Sequence, residues 1–407
     1  MPHIDERGVP VNHDNRLHAL DVGRALAILG VVAVHLSEWV PGLPGWLATI
    51  ARSGQYGVQL FFVISAFTIC MALEDDRQKV GKTGMLLRRF YVKRIVRIAP
   101  LYYVGIVVYG ILDVYAARMH THLTASHGTA DVLLNVAFLH EFVPSAVNSV
   151  VPGGWSIGVE MAFYVVAPLL FLASRTRRGL WITAACVLFA SYGLLLAGLL
   201  MFRIDSVSNN TFLYYWPPTQ FPCFVLGFLM WEYLRDTIRS GRPSAAASIS
   251  ASAALGVGYI ALLVTGVGME RSHAFAPVIA ATAGGALLIL LSAFDGLAIQ
   301  FGFLLRLGEK SYGLYMWHFL AIFCFRVILK ISGTHLSKVP VVLLFVMAMV
   351  FIVILAFLFA SASERLIEKP VARWVRGKFL GVPEAQVKPH DSRRPVAQQS
   401  IRLDQSI

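Results

Sequence analysis

The first long apolar run of the chain holds two ionisable residues, Arg24 and His35, eleven positions apart. A helix turns about 100° and rises about 1.5 Å per residue, so the two return to within roughly 20° of one face and stand about 16 Å apart. One face then carries a fixed cation at one end and a titratable base at the other. That pairing suits a long substrate with an anionic end and a reactive end, because guanidinium offers a planar fork for phosphate and imidazole can act as a general base near neutral pH. Taken singly, Arg24 also reads as an anchor at the basic side of a membrane and His35 as a tie between helices. Their shared face favours chemistry.

Three further constellations carry unusual residues. In Lys93-Arg94-Ile95-Val96-Arg97-Ile98-Ala99-Pro100, Arg94 and Arg97 are three apart and share a helix face. Alone they read as a basic interfacial anchor, and beside Arg24 as an anion pocket. In Gly153-Gly154-Trp155-Ser156-Ile157-Gly158-Val159-Glu160, Glu160 stands about one turn into an apolar helix after a glycine hinge. Its charge needs a partner there, and the spacing leaves open a structural hydrogen bond or a carboxylate that orients a catalytic imidazole. In Ser311-Tyr312-Gly313-Leu314-Tyr315-Met316-Trp317-His318, Tyr315 and His318 lie three apart on one face. The aromatic stripe alone indicates packing; the histidine is the stronger signal. His120, His122, His127 and Asp131 have no helical ligand spacing, so a solvated loop is expected there and no metal.

The elements that must position these residues follow from composition. Of 407 residues, 57% are hydrophobic and 14% charged, against about 25% charged in soluble domains, and mean hydropathy is +0.65. An ordinary soluble enzyme is excluded. The net charge of +12 lies in short clusters between apolar runs, as in the cytoplasmic loops of membrane proteins, so nucleic acid is not an expected partner. Apolar stretches of bilayer length recur at 18–40, 55–74, 92–116, 156–173, 180–201, 219–234, 246–267, 274–294, 311–330 and 340–362. The expected fold is therefore all-α, a polytopic membrane protein of about ten transmembrane helices.

Orientation follows from lysine and arginine. Arg77, Lys79, Lys82, Arg88 and Arg89 crowd the link between the second and third spans, whereas the preceding link holds only Arg52. Every second link agrees, through Arg175, Arg235, Arg306 and the tail from Arg365. This places the N- and C-termini in the cytoplasm. The long polar link 117–154 falls outside, and its apolar patch near Val132 to Leu139 could fold partly back into the membrane. No cleavable leader is expected before the first run, because Met1 to Leu17 is polar. Cys70, Cys186, Cys223 and Cys324 lie in apolar runs without a CxxC and read as small core hydrophobes. The division expected is a cytoplasmic segment 1–17, a membrane domain 18–370 and a cytoplasmic tail 371–407, largely disordered from its polar composition.

With these residues in hand, the chain resembles the acyltransferase-3 family of integral membrane O-acyltransferases. Arg24 followed by His35 matches an Arg-x10-His signature. Phe61-Phe62-Val63-Ile64-Ser65-Ala66-Phe67 resembles the FFxISGF segment, with Ala66 in place of glycine. The KRIVRIAPLYY, WSIGVE and SYGLYMWH segments follow in the family's order, from about Leu17 to Pro370.

The resemblance implies transfer of an acyl group, usually acetyl, from cytoplasmic acyl-CoA (acetyl-CoA) as donor substrate to a hydroxyl of a carbohydrate or glycoconjugate at or beyond a bacterial cytoplasmic (inner) membrane. It casts His35 as general base or acyl carrier, supported by Glu160, with Arg24, Lys93, Arg94 and Arg97 at the donor and Ser65, Trp155, Tyr315 and His318 as further site candidates. Its implied partners are the acceptor and membrane lipid, with a homo-oligomer or a separate acyl-accepting protein to consider. No room remains after Leu380 for the esterase-like domain some relatives carry. Intramembrane His and Glu also build proton relays, so a proton-coupled or polysaccharide transporter is the competing class; no inverted repeat supports it, and a non-catalytic scaffold would leave these residues unexplained.

Overall fold

The protein is described here from a computed structural model covering residues 17–80, 83–118, 127–203, 207, 212–240, 245–268, 274–293, 301–332 and 339–379. These residues lie mostly in helices. In chain order they are α1 (His18–Ser37), α2 (Gly45–Ser53), α3 (Gly57–Val80), α4 (Thr83–Arg118), α5 (Thr129–Val136), α6 (Trp155–Ala173), α7 (Arg177–Phe202), α8 (Phe212–Tyr215), α9 (Pro217–Ser240), α10 (Ala245–Gly268), α11 (Ala276–Ala293), α12 (Gly302–Glu309), α13 (Ser311–Ser332), α14 (Val341–Ser363) and α15 (Lys369–Phe379). Among the described residues, eight helical segments are long and apolar enough to cross a membrane. The remaining two expected spans coincide with α9 and α10, helices of 24 residues each that fall outside those eight.

Burial ranks the helices. In α1, 61% of the most apolar stretch is buried inside the bundle, against 17% in α7. Apolar residues of α7 therefore face outward, as a lipid-facing helix requires, while α1 runs through the centre and packs on α2, α3, α11, α12, α13 and α14. Glycines permit that crowding. A Cβ on Gly54 would overlap the Gly30 carbonyl oxygen, one on Gly57 the Ala27 carbonyl oxygen, and one on Gly308 the Asp21 carbonyl oxygen. Close backbone approach at small residues is how membrane helices gain packing energy when lipid offers no hydrophobic drive.

Two segments differ from expectation. The basic stretch between the second and third spans is helical on both sides of residues 81–82, not an open loop. Four of its charges have acidic partners: Arg77 pairs with Glu74 (2.7 Å), Lys79 with Asp75 (2.6 Å), and Arg89 and Lys93 converge on Asp76, which is 2% exposed. The second is 371–379, placed by its polarity in a disordered tail but helical within α15. Residues 1–16 and 380–407 lie outside the described residues, as do His120 and His122.

The apolar patch of the long link packs back into the bundle through α5. The Tyr102 hydroxyl of α4 donates to the Asn135 side chain (2.7 Å), and that of Tyr103 to the Val136 carbonyl (3.0 Å). His140 and Glu141 follow, both fully buried, with His140 Nε2 bonded to the Gly154 carbonyl (3.0 Å). Desolvation lowers the His140 imidazole to about 4 and raises the Glu141 carboxyl to about 7. A Cβ on Gly158 would overlap the Glu141 carboxylate, so the first turn of α6 is held flush against this segment.

Candidate active site

The helices bring Arg24, Arg94 and Arg97 together, as the sequence spacing suggests. All three line a small inner chamber of about 70 Å³ between α1, α3, α4, α6 and α13, with Ser65, Ser156, Glu160, Tyr164, Tyr312 and Tyr315. Arg24 donates to the Asp21 carboxylate one turn earlier (2.8 Å), and Asp21 is 4% exposed. The Arg94 guanidinium lies over the rings of Phe90 (5.7 Å) and Tyr164 (5.5 Å). Neither Arg94 nor Arg97 has a carboxylate within ion-pair distance among the described residues. Three guanidiniums against the carboxylates of Asp21 and Glu160 leave an excess of positive charge, which suits an incoming anion.

Arg94, Arg97 and Tyr312 also line a larger cavity of about 510 Å³. Lys93 stands in its wall, bonded to Asp76 at 2.6 and 2.7 Å, and α15 closes its other side with Lys369, Ala372, Val375 and Arg376. The two spaces meet at the paired arginines, the wide one opening towards the basic ends of the helices.

Glu160 belongs to the inner chamber and is not the partner of His35. Its carboxylate accepts from the Ser65 hydroxyl of α3 and from the Tyr164 hydroxyl (2.6 Å), and it forms no hydrogen bond or ion pair with His35. The orienting role considered for it is corrected accordingly. Ser65 earns its place through this bond. Trp155, at the start of α6, is buried between Phe62 and Tyr215, with ring centroids at 6.3 and 4.6 Å, and does not line the inner chamber.

His35 lies beyond the inner chamber, in an aromatic cluster with His318 (5.5 Å between ring centroids) and Phe319 (4.5 Å). His318 is fully buried, and its Nδ1 donates to the Tyr315 carbonyl (2.6 Å). That bond fixes the tautomer, so Nε2 carries a lone pair, which has no partner among the described residues. Between chamber and histidines stands Tyr315. Its hydroxyl donates to the Gly153 carbonyl (2.9 Å) and accepts from the Ser156 hydroxyl (2.8 Å), while its ring lies 5.5 Å from that of His318. A septum of neutral, mutually satisfied groups thus divides the arginines from the imidazoles.

On its far side His35 is accessible. Its side chain is 29% exposed, with Nδ1 3.7 Å from the Glu38 carboxylate. Glu38 lines an outward cavity of about 220 Å³ with Val34, Ser37, Arg52 and Gln55. Asp21 and Glu38 were not among the candidates drawn from sequence, although each stands three residues from Arg24 or His35, a spacing at which helical side chains meet. Asp76 carries no such signal, since its partners lie in another helix. No cluster of three metal-ligating side chains occurs among the described residues. His127 stands 3.9 Å from Asp113, and the Asp131 carboxylate accepts from the Gly128 N–H.

A helical membrane bundle with an arginine-lined chamber on one side of a septum and a histidine pair on the other has the layout of a group-transfer site. The chain belongs to the acyltransferase-3 family: the family model, described as an acyltransferase domain, matches residues 17–361. It is similar to the peptidoglycan O-acetyltransferase OatA of Listeria monocytogenes, 23% identical over 87% of this chain and 56% of that protein. Proteins of Staphylococcus aureus named as O-acetyltransferases are 24% identical over 86% of this chain and 56% of theirs. One of the Acidianus two-tailed virus, named as an acetyltransferase, is 25% identical over 76% of this chain and 83% of its own. The chain thus spans little more than half the length of the first two relatives. No solved structure matches it.

Proposed function

We propose that the protein is a multi-pass enzyme of the bacterial cytoplasmic membrane that moves an acetyl group from cytoplasmic acetyl-CoA to a hydroxyl of a carbohydrate or glycoconjugate. The observation that carries this reading is the alignment of arginine chamber, septum and accessible histidine along one line of the bundle. The phosphates of the donor dock on Arg24, Arg94 and Arg97, and the neutral pantetheine arm enters the inner chamber. Rotation of Tyr315 away from Ser156 and Gly153 opens the way to His35. There the imidazole, held with Nδ1 towards Glu38, takes the acceptor hydroxyl proton at Nε2. The oxygen attacks the thioester carbonyl, the C–S bond breaks, and the proton passes to the departing thiolate. His35 attacking first and carrying the acetyl group uses the same geometry. The cavity beside Glu38 is where the acceptor enters, and the relative whose name specifies peptidoglycan supports a cell-envelope glycan as its class.

The test is acyl transfer in proteoliposomes from labelled acetyl-CoA to a panel of envelope glycans. Wild type transfers label as an alkali-labile ester, and donor affinity falls about ten- to a hundredfold in Arg97→Ala, the scale of a lost charge-assisted contact. No transfer to any acceptor would move the assignment to a transporter, and unchanged donor affinity in the variant would leave the arginines as topological anchors. This reading also sets the topology, with both termini cytoplasmic. In a background with the native cysteines replaced, a cysteine at His127 is expected to react with an impermeant thiol reagent in intact cells and one at Thr83 to stay unlabelled. The reverse pattern would place the donor cavity on the wrong side.

A further inference from the structure

The large cavity holds more cationic side chains than the donor reading has used, and helix α15 supplies them. Lys369, Ala372, Val375 and Arg376 fall at helical spacing on one face and line the cavity, while Trp374 and Phe379 are exposed on the other. The helix is amphipathic, with a basic and apolar makeup that suits a membrane interface. It lies beyond the residues matched by the family model, which end at 361.

The charges inside the cavity do not cancel evenly. Asp76 is taken by Arg89 and Lys93, and Glu364 by Lys310 and Lys369. Arg94, Arg97 and Arg376 have no carboxylate within ion-pair distance among the described residues. Glu309 and Glu368 also line this space of about 510 Å³, so six cations there face four carboxylates and the excess is positive; its size is within the usual range for cofactor and nucleotide sites. Their order along the cavity also matters. Arg94 and Arg97 stand where it meets the inner chamber, whereas Arg376 lines only the wide part.

We infer that α15 completes a nucleotide site, with Arg376 binding the 3′-phosphate of the adenosine end of the donor while Arg94 and Arg97 hold its diphosphate. This rests on the acetyl-CoA reading above and adds to it the recognition of the donor's distal end. The order follows from connectivity: the diphosphate joins directly to the pantetheine arm and must stand nearest the narrow chamber, which leaves the ribose phosphate for the outermost cation. An anionic lipid headgroup would present the same phosphate chemistry at an interfacial helix.

Binding of acetyl-CoA and of 3′-dephospho-acetyl-CoA to the full-length protein tests this, in nanodiscs of phosphatidylcholine alone and with phosphatidylglycerol added. Wild type is expected to prefer acetyl-CoA about tenfold or more. Arg376→Ala is expected to lose that preference by weakening acetyl-CoA alone, while Arg373→Ala, on the exposed face, keeps it. Equal weakening of both ligands in Arg376→Ala, or retained preference, overturns the assignment. So does loss of acetyl-CoA binding on adding phosphatidylglycerol to wild type but not to Arg376→Ala, which would give Arg376 to lipid. Failure of wild type to bind acetyl-CoA in either bilayer overturns the underlying donor reading instead.

Discussion

Replacing His35 by alanine is expected to abolish acetyl transfer while donor binding and membrane insertion survive. The proposed donor contacts of Arg24, Arg94 and Arg97 lie on the other side of the Tyr315 septum, so removing an imidazole beyond it leaves those arginines in place. A general base contributes typically 10² to 10⁴-fold, and a nucleophilic imidazole at least as much, so either route predicts a near-complete loss. The ring is 29% exposed and packs on Phe319 and His318, so alanine removes surface that the bundle can lose without unfolding. His35→Gln, which keeps polarity but cannot accept the proton, should be equally inactive. The measurement is label transfer in proteoliposomes beside donor binding in detergent. Near-normal transfer by either variant would remove His35 from the chemistry.

The second large effect concerns a residue with no side chain. Gly308 of α12 packs its backbone against the Asp21 carbonyl of α1, and a methyl group there would overlap that oxygen. The three nearest atoms all belong to the Asp21 backbone, so no flexible side chain can yield. Gly308→Ala should therefore push α12 from α1 and cost about 1–3 kcal/mol, the range for overpacked sites. The same displacement moves Asp21, which holds Arg24 at 2.8 Å, so donor affinity should fall together with thermal stability. Scanning fluorimetry of the purified protein and a binding titration read the two effects. A variant with unchanged melting and unchanged affinity would mean that α1 and α12 are not in close register.

The residues most legible in the sequence are those whose partners are local or whose cost in lipid is high. Arg24, Arg94 and Arg97 converge because apolar helices cannot leave three guanidiniums facing lipid, and that rule needs no knowledge of the fold. His35 and His318 stand out for the same reason, although their ring contact joins residues far apart in sequence. Glu160 shows the limit. Its need for a partner is legible; that the partner is Ser65, 95 positions away, is not. Helix α15 fails differently. Arg373, Arg376 and Lys378 lower the hydropathy of its sequence and make it read as a solvated tail, whereas in the fold those cations flank an apolar side seated at Val375. Span counting matches eight long apolar helices among the described residues, and the other two expected spans fall on α9 and α10.

The Tyr315 septum has an electrical meaning. A bilayer at a potential of about 100 mV charges roughly 2.3 kcal/mol for each elementary charge carried across it, and an open polar passage would let ions dissipate that potential. Tyr315, Ser156 and Gly153 close the passage with groups that bear no charge and satisfy one another's hydrogen bonds. On the proposed reaction, the part of the donor that must pass them is its uncharged thioester, while the phosphates stay behind with the arginines. An acetyl group then changes compartments without electrical work, and the membrane keeps its potential through every turnover.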